Sequence, residues 1–323
     1  MHHLVIGEGQ IGRAIIDRAL ADGDTVTVLR RSPAAPEAGI RRVTGDLLDP
    51  GVLGEAVAGA EAIHAAFHAP YDARLWAQQL PPRELAVLDV AARAGIPVVF
   101  PESMYGFQGG AADLAEGAPL SPRDAKGEVR RLLLDQRRAH PARTLSLVAA
   151  DLLGPTTVGT NASVVCAMAI ERIVADSRAI VFGDPAAPHV LTYVPDLAAA
   201  MLHAARHAER LAPAGDVVLH APSAPARTQA ELIAATSAQL EQRERRALAI
   251  PRLALRALAP VNTFVRELHG IAGLWYKPCV MRPGILTTED GLEPTSWEDA
   301  LAETVRAAVA ARSTTADGRS VPA

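Results

Sequence analysis

Short apolar runs and longer helix-patterned stretches alternate through the first half of the chain. The runs fall at His3–Ile6, Thr25–Leu29, Arg41–Val43, Ala62–Phe67, Val98–Phe100 and Leu145–Val148. Each is short, apolar and bounded by turn residues, as a buried strand is. Helical spacing occupies Ile11–Ala21, Pro50–Ala58, Pro82–Ala94 and Arg123–His140. Gly23 and Gly95 stand where helix C-caps belong. This alternation predicts an α/β fold with a doubly wound parallel sheet. The second half is more mixed. It predicts helices over Ala162–Asp176, Val194–His207, Gln229–Gln242 and Trp297–Ala311, and a strand over Val217–His220. The pattern divides the chain into residues 1–155, a nucleotide-binding part, and 156–312, a smaller mixed α/β substrate-side part interleaved with the sheet. Residues 313–323 are small, polar and Pro/Gly-containing, and are expected to be a disordered tail.

The first strand runs into Gly7-Glu8-Gly9-Gln10-Ile11-Gly12 and then into an amphipathic helix. Strand, glycine turn and helix together make GxGxxG a dinucleotide-binding fingerprint, and the sheet a Rossmann-type one. Gly7 permits the tight turn, Gly9 lets the backbone approach a pyrophosphate, and Gly12 lets helix pack on strand. The helix N-terminus at Gln10 and Ile11 offers free N–H groups to the phosphates. Arg30-Arg31-Ser32 closes the second strand, eighteen residues after Gly12. A carboxylate there would read a ribose 2′-hydroxyl. Arginines favour a 2′-phosphate, hence NADP, although a solvated basic loop would read the same way. Asp46 and Leu47 follow the third strand, where an aspartate can accept from an adenine amino group. Asp49-Pro50 reads as an N-cap with proline at N1.

Composition narrows the class. A net charge of −4 over 323 residues gives no electrostatic reason to expect nucleic acid or an anionic membrane as partner. Cys166 and Cys279 are too few for a disulfide framework or a zinc site. No metal-ligand cluster, signal peptide or bilayer-length apolar run stands out, so a reduced, cytoplasmic protein acting on a small molecule is expected. Heavy use of Ala, Arg and Pro is that of a GC-rich bacterial genome. Aromatic residues make up only 4% of the chain, yet His68, Tyr71 and Trp76 cluster after the fourth strand. They are candidate substrate-binding residues or ordinary loop anchors. His64 reads as a core histidine.

The chain resembles the atypical extended short-chain dehydrogenase/reductases, the NAD(P)-dependent epimerase/dehydratase group. The resemblance spans nearly the whole sequence. It rests on the glycine turn, Gly45-Asp46-Leu47, Ala65-Ala66, Ser103-x-Tyr105-Gly106, Lys126, Gly154-Pro155, Thr192-Tyr193-Val194-x-Asp196 and Glu293-Pro294-Thr295. It implies cofactor contacts at Ala66 and Phe67, a ribose-holding Lys126, and allows a homodimer. In that family a tyrosine four residues before the lysine exchanges the proton, but here that position is Pro122. Proline carries no exchangeable proton. Tyr105 is the expected substitute, with Ser103 orienting a substrate carbonyl. The bland alternatives are a packed aromatic and a surface lysine. Trp275 and Tyr276, with Arg266, Glu267 and His269 upstream, are expected on the substrate side, as a lid or as packing.

These residues imply an NADP(H)-dependent oxidoreductase of a small carbonyl or alcohol. Two other readings stay open: a redox-inert NADP-binding sensor or scaffold, and an epimerase or dehydratase with retained cofactor.

Overall fold

The structure, a computed structural model, describes residues 1–160 and 163–316. Seven strands form one parallel sheet: β1 (His2–Ile6), β2 (Thr25–Arg30), β3 (Ile40–Thr44), β4 (Ala62–Ala65), β5 (Val98–Ser103), β6 (Thr144–Ala149) and β7 (Asp216–His220). Their order is β7-β6-β5-β4-β1-β2-β3. The order reverses beside β1, and crevices at such switch points bind ligands. Val5 stands level with Val28 on β2 and with His64 on β4.

Each strand feeds two cores, because successive side chains point to opposite faces. Val5, Val26, Val28, Val99, Leu145 and Leu147 meet α1 (Gln10–Ala21) and a helix over Val194–Arg206. Leu4, Ile6, Leu29, Ile63 and Phe100 meet α2 (Pro50–Val57) and α3 (Ala73–Ala94). Asp49 caps α2 through Gly51 N at 2.8 Å and Val52 N at 3.3 Å, as its sequence predicts. α4 (Ala125–Ala139) lies beside α3, and the two enclose Trp76, Leu80, Val129 and Leu133.

The helix expected from Pro82 begins nine residues earlier, at Ala73. Asp72 caps it by accepting from Arg74 N at 2.8 Å. Pro81 and Pro82 lie inside it. Burial of Trp76, Leu80 and Glu84 on one face holds the first turns despite the prolines. The helix expected over Ala162–Asp176 is seen as a π-type turn at Cys166–Ile170 and a short helix at Glu171–Val174, while Ala162 falls outside the described residues. The last helix runs Trp297–Ala316, so residues 313–316 of the expected tail are helical, and the rest of that expectation falls outside the described residues.

The second half adds three two-stranded pieces and a separate core that includes Phe182, Leu268, Leu274 and Trp275. A helix over Thr263–Gly270, α5 below, belongs to this part and reaches back to the carboxyl edge of the main sheet. Among the described residues, no helix is long and apolar enough to cross a membrane.

Candidate active site

The glycine turn is held by Gly7 N donating to Leu29 O at 2.9 Å, with Gly7 at φ +96°. A Cβ on Gly7 would meet Ala66 O at 2.9 Å, and one on Gly12 would meet Gly7 O at 1.9 Å. A Cβ on Gly9 would meet nothing within 4 Å, so the space above the turn is open. It opens into a groove of about 330 Å³ along the carboxyl edge of the sheet. Gly7, Gly9, Arg30, Arg31, Ser32, Asp46, Leu47, Ala66, Phe67 and His68 line this groove, as do Glu8 and Arg83. Gln10 starts α1, and its buried Oε1 has no hydrogen-bond partner among the described residues. Ile11 packs instead against the α1 core. An open turn and a helix N-terminus with free N–H groups fit the pyrophosphate of a dinucleotide.

A charged network borders the groove beside the turn. Glu8 Oε2 accepts from Arg30 at 2.6 Å, and Glu8 Oε1 accepts from Arg42 at 2.9 Å. Glu37 joins Arg42 at 2.9 Å and Arg13 at 2.7 Å. Burial works to raise the Glu8 carboxyl, but hydrogen bonds from Arg42 and Arg30 outweigh it and hold the group ionised. Arg31 has no ion-pair partner among the described residues and faces the groove. Asp46 Oδ1 accepts from Leu48 N at 3.0 Å, an Asx turn at the groove edge.

Four aromatic rings gather beyond Phe67. Tyr71 and Tyr105 place their hydroxyls 3.2 Å apart. Trp76 is buried, donates to Pro70 O at 2.9 Å, and stacks on Tyr105 with ring centroids 6.0 Å apart. The His68 ring stands edge-on to Trp76 at 4.6 Å. Arg130 donates to His68 Nε2 at 2.8 Å, so His68 Nδ1 carries the proton and donates to Ala69 O at 2.7 Å. Desolvation and the Arg130 charge push His68 down to about 4, so it is neutral near pH 7.

Lys126 completes the cluster. It is fully buried in the first turn of α4. Its Nζ donates to the Glu267 main-chain oxygen at 2.6 Å and to Glu267 Oε2 at 2.9 Å. It also lies 4.3 Å from the Tyr71 ring centre and 5.9 Å from that of Tyr105. Tyr105 touches the same turn, since a Cβ on Gly127 would meet Tyr105 O at 2.5 Å. Two tyrosines thus reach the lysine from the β4 and β5 ends. Burial pushes the Tyr105 phenol up to about 12 and Tyr71 higher still. With Lys126 paired to Glu267, neither phenol gains its acidifying field.

Over residues 3–219 the chain matches the NAD dependent epimerase/dehydratase family. It belongs to that family. No curated protein matches it in sequence. Solved structures share the fold over nearly the whole chain. MoeE5, solved with UDP-glucose and NAD, has 18% identity and a TM-score of 0.75, covering 97% of this chain and 99% of its own. UDP-glucose 4-epimerase of Thermotoga maritima, solved with UDP-glucose, has 16% identity and a TM-score of 0.71, covering 98% and 100%. UDP-glucuronic acid 4-epimerase from Bacillus cereus, in complex with NAD, has 12% identity and a TM-score of 0.74, covering 95% and 98%. At such identities the likeness is one of fold.

Within this epimerase/dehydratase family member, some expected roles move. Trp275 does not line the groove. It is buried in the second core and stacks on His189 at 4.3 Å. Tyr276 donates to Ile250 O at 2.6 Å and braces a strand pair. Both side chains thus pack, the second of the two expected readings, and the segment before them folds as short helices. Ser103 turns toward Glu102, which accepts from its N at 2.7 Å. Glu102 is in turn fixed by Arg137 at 2.9 Å, while Arg137 also forks onto Glu84 at 2.6 and 2.8 Å. His64 is buried with Nε2 3.1 Å from His3 Nδ1, but its Nδ1 has no partner among the described residues. Site roles for Glu8, Arg42 and Arg130 were not anticipated. Glu8 had a readable signal, a charge between two glycines of a fixed turn. Glu267 was expected in the substrate-side segment, but its pairing with Lys126 was not.

Proposed function

We propose that this protein is an NADP(H)-dependent oxidoreductase that reduces or oxidises a small organic carbonyl or alcohol. The observation that carries this reading is the Tyr71–Tyr105 hydroxyl pair beside Lys126, joined through Trp76 to His68 on the wall of the groove above the glycine turn. Gly7, Gly9 and the α1 N-terminus would hold the pyrophosphate, Arg31 and Ser32 a 2′-phosphate, and Phe67 and His68 the wall toward the nicotinamide. A bound NADPH supplies the hydride. Tyr105 delivers its proton to the substrate oxygen as that oxygen gains charge, and Tyr71 hydrogen-bonds the resulting phenolate. Burial keeps the Tyr105 phenol protonated at neutral pH but makes it a weaker acid, so proton delivery needs a cation to stabilise the phenolate. Lys126, released from Glu267, would stabilise the phenolate.

Likeness to nucleotide-sugar enzymes favours a second reading, an epimerase or dehydratase that returns the hydride to its own substrate. One experiment separates them. NADPH absorbance is followed with a panel of aldehydes, ketones and enones, in parallel with product analysis of UDP-sugars. Net NADPH consumption, lost in Tyr105→Phe by roughly a hundredfold or more, supports the reductase. UDP-sugar conversion without net consumption supports the second reading. NADPH binding with neither reaction overturns both and leaves a redox-inert binding protein.

A further inference from the structure

Glu8 is the variable residue between the first two glycines of the turn, and it lines the groove itself. One carboxylate oxygen is bonded to Arg30 at 2.6 Å and the other to Arg42 at 2.9 Å. Arg42 is further tied to Glu37 at 2.9 Å and to Ala35 O at 3.0 Å. Arg30 has only the Glu8 bond, leaving its other guanidinium N–H groups without partners among the described residues. Arg31 and Ser32 sit next to it on the same wall.

We infer that Glu8 sets the choice between a 2′-phosphorylated and an unphosphorylated dinucleotide. This rests on the reading of the groove as a dinucleotide site. A 2′-phosphate approaching Arg31 and the free edge of Arg30 meets a carboxylate already on Arg30. The two anions compete for one guanidinium, and they repel each other in a half-buried wall where screening is weak. A 2′-hydroxyl carries no charge and meets no such opposition. Glu8 thus opposes the phosphate that Arg31 attracts, and the affinity ratio reflects the balance.

The test is fluorescence titration of the full-length protein with NADPH and NADH, and calorimetric titration with 2′,5′-ADP and 5′-AMP. In Glu8→Gln, NADPH and 2′,5′-ADP should bind about tenfold tighter, while NADH and 5′-AMP change less than threefold. Tighter binding of all four ligands together, or weaker binding of the phosphorylated pair, overturns the inference. Arg30→Gln provides an arm that does not depend on Glu8→Gln folding. It leaves Glu8 paired to Arg42 alone, with one carboxylate oxygen facing the groove uncompensated, and should weaken 2′,5′-ADP at least tenfold against 5′-AMP; an unchanged ratio overturns the inference. The wild-type NADPH-to-NADH ratio is a separate readout. A wild type that prefers NADH defeats the NADP reading, whereas a ratio that still moves toward NADPH in Glu8→Gln upholds the role of Glu8.

Discussion

Lys126 and Glu267, 141 residues apart in sequence, form a buried ion pair with Nζ 2.9 Å from Oε2 and 2.6 Å from the Glu267 main-chain oxygen. The pair ties α5 of the second half to the first turn of α4, directly over the tyrosine cluster. Burial alone would push the lysine down, and Glu267 offsets part of that.

Removing one partner leaves the other charge buried without its counterpart, which costs about 3–5 kcal/mol; replacing both by apolar groups is often close to neutral. Lys126→Met and Glu267→Leu should each lower unfolding free energy by roughly 3 kcal/mol. The double variant should lose at least about 1 kcal/mol less than the sum of the two. Urea unfolding followed by circular dichroism gives all three values. Strict additivity would show that the two side chains act independently.

Strands were legible where their signals are local. Each sheet strand but the edge strand β3, which carries two arginines, has an apolar run of its own, and β4 differs from expectation only at its end. It was expected to reach Phe67 and stops at Ala65, because the Ala66 backbone turns out to pack under Gly7. The early start of α3 was present in the stripe Trp76, Leu80, Glu84, Val87, Leu88, Ala91, but two prolines outweighed it. The Tyr71–Tyr105 pair was not legible. Each tyrosine stood out alone, and only strand order brings the β4 and β5 ends together. Glu267 was expected in the substrate-side segment, but its pairing with Lys126 was not legible, because the two lie 141 residues apart and no period or spacing links them.

Two glycines of the turn should separate folding from binding. A Cβ on Gly12 collides with Gly7 O at 1.9 Å, so Gly12→Ala forces helix and strand apart. It should lose roughly 2 kcal/mol or more of stability, in the range of overpacked sites, and dinucleotide binding with it. The Gly9 Cβ meets no protein atom within 4 Å. Gly9→Ala should keep the melting temperature near wild type yet weaken NADPH at least about tenfold, because the methyl enters the pyrophosphate space. Thermal melts and NADPH titration on both variants check the split. Equal NADPH affinity in Gly9→Ala would place the pyrophosphate elsewhere.

Arg31 faces the groove without an ion-pair partner among the described residues. A charge-assisted hydrogen bond is worth about 1.5–3 kcal/mol. Arg31→Ala should therefore weaken NADPH roughly ten- to hundredfold while leaving NADH within about threefold. Stability should not move, since the side chain is exposed. An unchanged NADPH-to-NADH ratio would remove Arg31 from 2′-phosphate recognition.

Asp151 gives a pH dependence whose sign is opposite to that of most carboxylates. Desolvation pushes its carboxyl from the usual 3.8 up to about 6, despite an N–H bond from Val165 at 3.0 Å. A group raised in the folded state adds stability below its unfolded value and loses it as pH rises through the folded one. The Asp151 contribution is therefore fully present below about pH 4 and is lost as pH rises through about 6. Asparagine can accept the same Val165 N–H without a charge. Asp151→Asn should gain about 1–3 kcal/mol over wild type at neutral pH, and the gain should vanish as pH falls toward 4. Other titrating groups are common to both proteins and cancel in the difference. Urea unfolding of both at two pH values measures it, and an equal difference at the two would show that the Asp151 carboxyl titrates alike folded and unfolded.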